Sequence, residues 1–107
     1  MVIKDHVDIE NIAITNNLKR LTNQIYKLLP NREEGIDWQT PLTTVIEEFA
    51  GMSKLINNHT ALFSLLCKLE GLYGLTEEND FHLFRRIIFE CLSLVQDIKE
   101  SVIACQD

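Results

Sequence analysis

The sequence predicts an all-α fold, a four-helix bundle of antiparallel hairpins with a long C-terminal helix. Apolar residues recur at steps of three and four through most of the 107 residues, the spacing of one face of an α-helix. No stretch shows the strict alternation that is typical of a half-buried β-strand. Short polar breaks separate the last three helical patterns, and connections of about three residues make consecutive helices neighbouring hairpins.

The length of the chain predicts one domain, residues 1–107, with a core of its own. Apolar residues near the N-terminus do not share a helical face with those that follow. We therefore predict that residues 1–12 form a flexible or docking arm.

The first clear helical pattern begins at Ile14. Its apolar residues follow steps of four, three, four and three, which form a narrow seam along one face. They are Ile14, Leu18, Leu21, Ile25 and Leu28. Pro30 is predicted to end this helix, because the residue before a proline is pushed out of helical geometry.

The second helix is predicted to begin with Thr40 as its N-cap and Pro41 as its first helical residue. Its apolar pattern runs to about Ile56. Gly51 would then lie inside the helix at a cost of about 1 kcal/mol relative to alanine, unless a neighbouring helix packs against its bare backbone. After an asparagine break, a third helix is predicted to stop at Gly74.

The fourth helix is predicted to be capped by Thr76 and to continue to about Ala104. Its acidic start suits the positive end of the helix dipole. At 1.5 Å per residue it would span roughly 40 Å, against about 25 Å for each of the second and third helices. Its last turns would therefore extend ~15 Å beyond these two neighbours.

The overhanging turns still carry Val95, Ile98, Val102 and Ile103. Leaving several such side chains in water is unfavourable, since burying each contributes about 1.5–3 kcal/mol. Either the first helix or a second copy of the chain must cover them. We interpret the four residues as a self-association surface and predict a homodimer or a higher oligomer.

Trp38 is the only tryptophan, and it lies in an acidic linker between the first two helices. It can fold back with Ile36 to close the open end of the bundle. Alternatively, Trp38 and Arg32 anchor a protein interface, because Trp and Arg are enriched at binding hot spots. The sequence leaves both interpretations open.

Phe81, Arg85 and Phe89 lie four residues apart and form one ridge along the fourth helix. An aromatic–Arg–aromatic row suits a protein interface, because the guanidinium stacks on aromatic rings and can bind a carboxylate. The alternative is an Arg85 whose stem covers the edge of the core. Together with Arg32 and Trp38, these three are the predicted protein-binding residues.

The charge balance argues against direct binding of nucleic acid. With 16 acidic and 10 basic residues, the chain has a net charge of −6, whereas a phosphate-backbone binder normally shows a basic face. No window approaches the ~20 apolar residues of a membrane span. Cys67, Cys91 and Cys105 have no ligand-like spacing, and we expect them to be reduced in the cytoplasm.

Catalytic chemistry has little support in the sequence. Some all-helical nucleotide pyrophosphohydrolases hold magnesium with carboxylates spaced three residues apart. Glu77 with Asp80, and Asp97 with Glu100, have this spacing, but neither pair lies beside a wall of polar residues. We predict no catalytic residue, no metal ligand and no cofactor.

The stretches "LLPNREEGIDW", "FSLLCKLEGL" and "FHLFRRIIFECLSLV" resemble small uncharacterised helical proteins encoded by tailed bacteriophages and prophages. The resemblance covers the chain from about Leu18 to Val95. It implies a setting in the bacterial cytoplasm during infection and a role as an accessory protein, an assembly factor or an inhibitor of a host system. No catalytic or binding residue carries over from it.

These observations favour a non-catalytic protein–protein interaction module whose partner is a phage or host protein. One alternative is an acidic mimic that occupies a nucleic-acid-binding site on another protein. It requires a continuous negative surface formed by Glu33, Glu34, Asp37, Glu77, Glu78 and Asp80. A second alternative is a small-molecule or nucleotide binder, or a hydrolase, with its site at a subunit interface.

Overall fold

The computed structural model describes the backbone of residues 2–56 and 58–104 and the side chains of residues 13–56 and 58–101. Within these ranges the chain is helical and has no strand. Its helices are α1 (Val2–Glu33), α2 (Gln39–Gly51), α3 (His59–Gly71) and α4 (Phe81–Ala104). Short 3-10 turns at Leu72–Gly74 and Glu78–Asp80 connect α3 to α4. The predicted all-α class and long C-terminal helix are confirmed.

The prediction that Pro30 ends the first helix is wrong. Pro30 lies inside α1, where a proline removes the hydrogen bond of its own nitrogen but leaves its carbonyl free to accept one. The helix ends at Glu33, and Gly35, two residues later, has a φ of +75°. The Gly35 amide donates to the Arg32 carbonyl at 3.2 Å, and the Ile36 amide donates to the Asn31 carbonyl at 2.8 Å. This pair of bonds is the Schellman ending that favours glycine.

The N-terminal part of α1 begins at Val2, well before Ile14. The backbone of residues 2–12 is therefore continuous with the rest of a 32-residue helix. The side chains of residues 1–12 lie outside the described part of the chain, so their role as a docking arm stays a prediction.

The predicted N-cap of the second helix is also wrong. Thr40 lies inside α2, which begins at Gln39. The carboxylate of Asp37 accepts the backbone amides of Gln39 at 3.0 Å and Thr40 at 3.2 Å. Because this acid already satisfies two free amides at the helix start, the hydroxyl of Thr40 is not needed as a cap.

The start of the fourth helix is organised by acids, and the prediction of Thr76 as its cap is wrong. The Glu77 amide donates to the Asp80 carboxylate at 3.3 Å, and the Asp80 amide donates to the Glu77 carbonyl at 3.0 Å. This 3-10 turn leads directly into α4 at Phe81.

The second helix is shorter than its apolar pattern. It ends at Gly51, although Ile56, five residues later, is still buried. Among the residues whose side chains are described, none comes within 4 Å of a Cβ placed on Gly51, so none of them packs against its bare backbone. The third helix begins at His59 and is capped by Asn58, whose side chain accepts the Ala61 amide at 3.1 Å.

The core lies where the four helices meet, since α1 packs on α2 and α4, and α3 packs on α2 and α4. In the part of the chain whose side chains are described, every buried residue is hydrophobic. The predicted seam of α1 is confirmed. Its members Leu18, Leu21, Ile25 and Leu28 are fully buried, and Ile14 packs partly against them.

The overhang of the last helix is covered from within the chain as far as Ile98. The 24 residues of α4 span about 36 Å, against about 20 Å for the 13 residues of each of α2 and α3. However, α1 is longer still, at about 48 Å, and it lies beside α4.

The prediction of a self-association surface is therefore wrong for two of its four residues. Val95 and Ile98 are 1% and 0% exposed in the single chain, and they offer no surface to a second copy. The prediction failed because it gave the first helix too little length. Val102 and Ile103 lie outside the residues whose side chains are described, so their part in self-association stays a prediction.

Candidate functional site

The structure separates the five predicted binding residues into two groups. Arg32, Trp38 and Phe81 gather with the buried Phe84 at one end of the molecule, and we call these four residues the lid cluster. Arg85 and Phe89 lie outside this cluster on the surface of α4.

Arg32 ties the end of α1 to the connection between α3 and α4. Its Nε and Nη2 donate to the carbonyl oxygen of Leu75 at 3.1 and 2.8 Å, and Nη2 also donates to the carbonyl oxygen of Glu77 at 2.7 Å. Only the planar fork of an arginine offers several donors in this fixed arrangement. Arg32 therefore holds together segments that are more than 40 residues apart in sequence.

Aromatic rings complete the lid cluster. The guanidinium carbon of Arg32 lies 5.5 Å from the ring centroid of Phe81 and 4.9 Å from that of Phe84. Trp38, half-buried, meets Phe84 edge-on at a centroid distance of 5.0 Å. Trp38 thus lies where the lid interpretation places it. Ile36, which is 51% exposed, does not join it.

Tyr26, Arg85 and Phe89 form a second group, which we call the exposed trio. The Tyr26 and Phe89 rings meet at right angles with their centroids 6.1 Å apart. They are 51% and 41% exposed. The guanidinium carbon of Arg85 lies 5.5 Å from the centroid of Phe89. A guanidinium over one aromatic ring, with a second ring edge-on to the first, therefore lies on a surface that water reaches.

Tyr26 was not among the predicted binding residues, because it does not share the spacing of the apolar seam of α1. Tyr26 lies next to Ile25 in sequence but about 100° away from it around the helix, outside the seam. The available signal was a large aromatic residue among polar neighbours on the outer side of an amphipathic helix.

Three shallow depressions lie along α4. The first, of about 300 Å³, and the third, of about 290 Å³, lie where α1 meets α4. The second, of about 240 Å³, lies on the surface of α4 beside Arg85 and Phe89. We call these depressions, with the exposed trio, the α1–α4 groove. Its other lining residues are Leu29, Glu33 and Phe81 in the first, His82 and Arg86 in the second, and Lys19, Thr22, Asn23, Gln96 and Lys99 in the third.

A more polar cleft of about 500 Å³ lies at the lid end of the molecule. Glu33, Asp37 and Glu78 line it, so the linker and the segment before α4 meet at one end. Arg32 lines the same cleft, but its guanidinium is already bound to main-chain carbonyls. The acidic mimic requires this juxtaposition of segments.

Two surface carboxyl groups have shifted pKa values. Hydrogen bonds from the side chain and the backbone of Thr40, and from the backbone of Gln39, lower the pKa of Asp37 below its ordinary 3.8. The hydrogen bond from Lys68, at 3.1 Å, and the positive charges of Lys68 and Arg86 lower the pKa of Glu90. Each carboxylate is thus stabilised in its charged form by direct neighbours.

The cysteines with described side chains differ in environment. Cys91 is fully buried in the core, and burial raises the pKa of its thiol to about 12. Cys67 is exposed on α3. Cys105 lies outside the described residues.

Neither a metal cluster nor a membrane span is found in the described ranges. No three His, Cys, Asp or Glu side chains there are placed to hold one metal ion together. None of the helices described combines the length and the apolar character needed to cross a bilayer.

Comparison of the chain with protein-family models, with curated proteins and with solved structures found no match.

Proposed function

We propose that this chain is a non-catalytic protein-binding module that acts through the α1–α4 groove. The observation that carries the proposal is the exposed trio. Tyr26 and Phe89 each leave about half of their surface to water, and Arg85 stacks on Phe89. Aromatic residues and Arg are the side chains most enriched at binding hot spots.

The proposal divides the five predicted residues by role. Arg32 and Trp38 are engaged within the chain and stabilise the fold, whereas Arg85 and Phe89 keep surface available for a partner. Phe81 borders both groups, because its ring lies under Arg32 and also lines the α1–α4 groove.

The same proposal includes an antiparallel arrangement of α1 and α4 in a four-helix bundle. Arg32, at the end of α1, meets Phe81 at the start of α4. Lys19, earlier in α1, lies beside Lys99, late in α4. The setting we propose is the cytoplasm of a bacterium during infection, on the basis of the resemblance to phage-encoded helical proteins. There the module would be an accessory, assembly or host-inhibitor protein.

Affinity capture from a bacterial lysate, quantified by mass spectrometry, tests this function. The test variant carries Arg85→Ala and Phe89→Ala. Phe63→Ala is the matched control, because Phe63 is 71% exposed on α3, away from the groove. We expect a partner that the wild type and the control retain and the double variant loses. Equal recovery by all three proteins, each folded by circular dichroism, would contradict the proposal.

The acidic end of the molecule supports a second candidate, a mimic of nucleic acid. Glu33, Asp37 and Glu78, three of the six acids that this function requires, line one cleft there. In this case the captured partner would be a DNA- or RNA-binding protein, and its complex would weaken strongly between about 50 and 300 mM salt. Glu33→Gln with Glu78→Gln should weaken it too. A complex that is insensitive to salt and to these changes would remove this candidate.

A further inference from the structure

The charges that line the α1–α4 groove differ in sign from those of the chain as a whole. The chain carries 16 acidic and 10 basic residues. The groove depressions, in contrast, are lined by the basic residues Lys19, Arg85, Arg86 and Lys99 and by one acid, Glu33. Arg86 forms an ion pair with Glu90, with 3.5 Å between Nε and Oε2. Arg85, Lys19 and Lys99 form no ion pair among the described residues.

The order of these side chains along the groove is cation, aromatic, cation. Arg85 lies one helical turn from Phe89 in one direction, and Lys99 lies about three turns away in the other. On the facing helix, Lys19 is two turns from Tyr26, on the side of Lys99. From Arg85 to Lys99 the groove spans about 21 Å. A partner segment of this length would be a helix of about 14 residues.

We infer that the occupant of the α1–α4 groove is an acidic segment of another protein, with apolar side chains between its carboxylates. The inference rests on the proposed function and specifies its partner. Carboxylates toward both ends of the segment would meet Arg85 at one end and Lys19 and Lys99 at the other. Apolar side chains between them would cover the exposed rings of Tyr26 and Phe89. Complementary charge of this kind sets the register and the partner choice of an interface.

Two other occupants fit the groove less well. A nucleic acid would need a more extensive basic surface than a few cations on a chain of net charge −6. A second copy of the chain could offer its acidic lid end, but that contact is heterologous and would continue into rings or filaments. Both become distinguishable outcomes of the experiment.

The experiment selects binders from a display library of random peptides of about 16 residues, a length that matches the groove. The wild-type chain is the bait, and peptides that also bind the Arg85→Ala, Phe89→Ala double variant are discarded. We expect the remaining peptides to be rich in Asp and Glu around Leu, Phe or Trp. A synthetic copy of the most frequent peptide should then bind at least about 10-fold more weakly to Arg85→Glu.

Controls separate the two proposals. Phe63→Ala should bind the synthetic peptide within about twofold of wild type, whereas Lys99→Glu should weaken it as Arg85→Glu does. Selected peptides that depend on the groove but are basic or uncharged would overturn the acidic partner and leave the proposed function standing. The absence of any groove-dependent peptide would count against both.

Two further outcomes would also overturn the inference. Displacement of the peptide by oligo-dT at equal concentration would assign the groove to nucleic acid. Displacement of the peptide as the chain itself is concentrated, with a rising mass in sedimentation, would assign it to a second copy.

Discussion

Arg32 and Arg85 show how one residue type serves two purposes in this chain. Arg32 donates hydrogen bonds to the carbonyl oxygens of Leu75 and Glu77, and its guanidinium lies against the rings of Phe81 and Phe84. Arg85 is exposed and, of the aromatic rings that the structure describes, lies over that of Phe89 alone. A lysine keeps the charge but not the planar fork, so exchange of Arg for Lys separates the two roles.

Arg32→Lys should lower the free energy of unfolding by about 1–2 kcal/mol, because it removes hydrogen bonds to two main-chain carbonyls. Arg85→Lys should change it by less than about 0.5 kcal/mol, as is usual for an exposed side chain. Urea denaturation followed by circular dichroism measures both. Equal losses would show that Arg32 does not hold the end of α1 in place.

Two glycines should respond in opposite directions to alanine. Gly35→Ala should destabilise the fold by about 1–2 kcal/mol, because Gly35 has a φ of +75°. Gly51→Ala should stabilise it by about 0.4–1 kcal/mol, because the position is helical and a Cβ meets open space. The urea midpoints of the two variants measure these changes, provided that the slope of the free energy of unfolding against urea concentration is the same in both. A Gly35→Ala variant as stable as the wild type would contradict the assigned end of α1, and destabilisation by Gly51→Ala would contradict the open space beside that residue.

Thiol labelling should distinguish the two cysteines whose side chains are described. Cys67 is exposed and should react with a maleimide within minutes at pH 8. Cys91 is buried with its thiol pKa raised to about 12, and only the thiolate reacts. Peptide mass spectrometry after a short labelling pulse reads each site. Comparable labelling of Cys91 in the native protein would contradict the described core.

At the scale of the helices, sequence patterns predicted the buried faces better than the helix ends. The seam from Leu18 to Leu28 is buried as its spacing indicates. The helix ends depend on which of several nearby polar groups forms a hydrogen bond with a free amide or carbonyl. The cap of α2 is Asp37, where Thr40 was predicted, and α1 is terminated by Gly35, where Pro30 was predicted. Spacing alone does not rank such competitors.

The cap of α2 should make its stability depend on pH. The pKa of Asp37 is lower in the folded chain than its ordinary 3.8. A lowered folded-state pKa contributes stability that is complete above the ordinary value and is lost as the pH falls through the folded-state value. In the Asp37→Asn variant, the melting temperature should therefore depend less on pH below about pH 4 than it does in the wild type.

Carbon-detected NMR of the Asp37 carboxyl measures the same shift directly. A titration midpoint at or above 3.8 would contradict the cap that Asp37 provides to Gln39 and Thr40.

The buried end of α4 predicts a result about self-association. Ile98 is fully buried within one chain, so Ile98→Ala should cost about 2–5 kcal/mol of stability by leaving a cavity. The change should leave the mass of the folded protein in sedimentation unaltered. A folded variant whose oligomer dissociates would restore Ile98 to the interface between copies.

At the scale of the whole molecule, the candidate site could be predicted only in part. The spacing of Phe81, Arg85 and Phe89 indicated a ridge on α4. Closure of the bundle was one interpretation of Trp38, but nothing in the sequence indicated that Arg32 would take part in it, because the partners of Arg32 are distant in sequence. The partner of Phe89 across the groove, Tyr26, depends on how α1 lies against α4. Such pairings arise from tertiary packing and leave no local pattern.

The most direct test of this division of roles is the dissociation constant of the captured partner, measured for Phe89→Ala and Trp38→Ala at a temperature where both variants are folded. We expect Phe89→Ala to raise the constant about 30-fold, the loss of ~2 kcal/mol typical of a hot spot. We expect Trp38→Ala to leave the constant within about threefold of wild type and to lower the melting temperature instead. Strong weakening by Trp38→Ala, with Phe89→Ala binding like wild type, would contradict the proposed roles of these two residues.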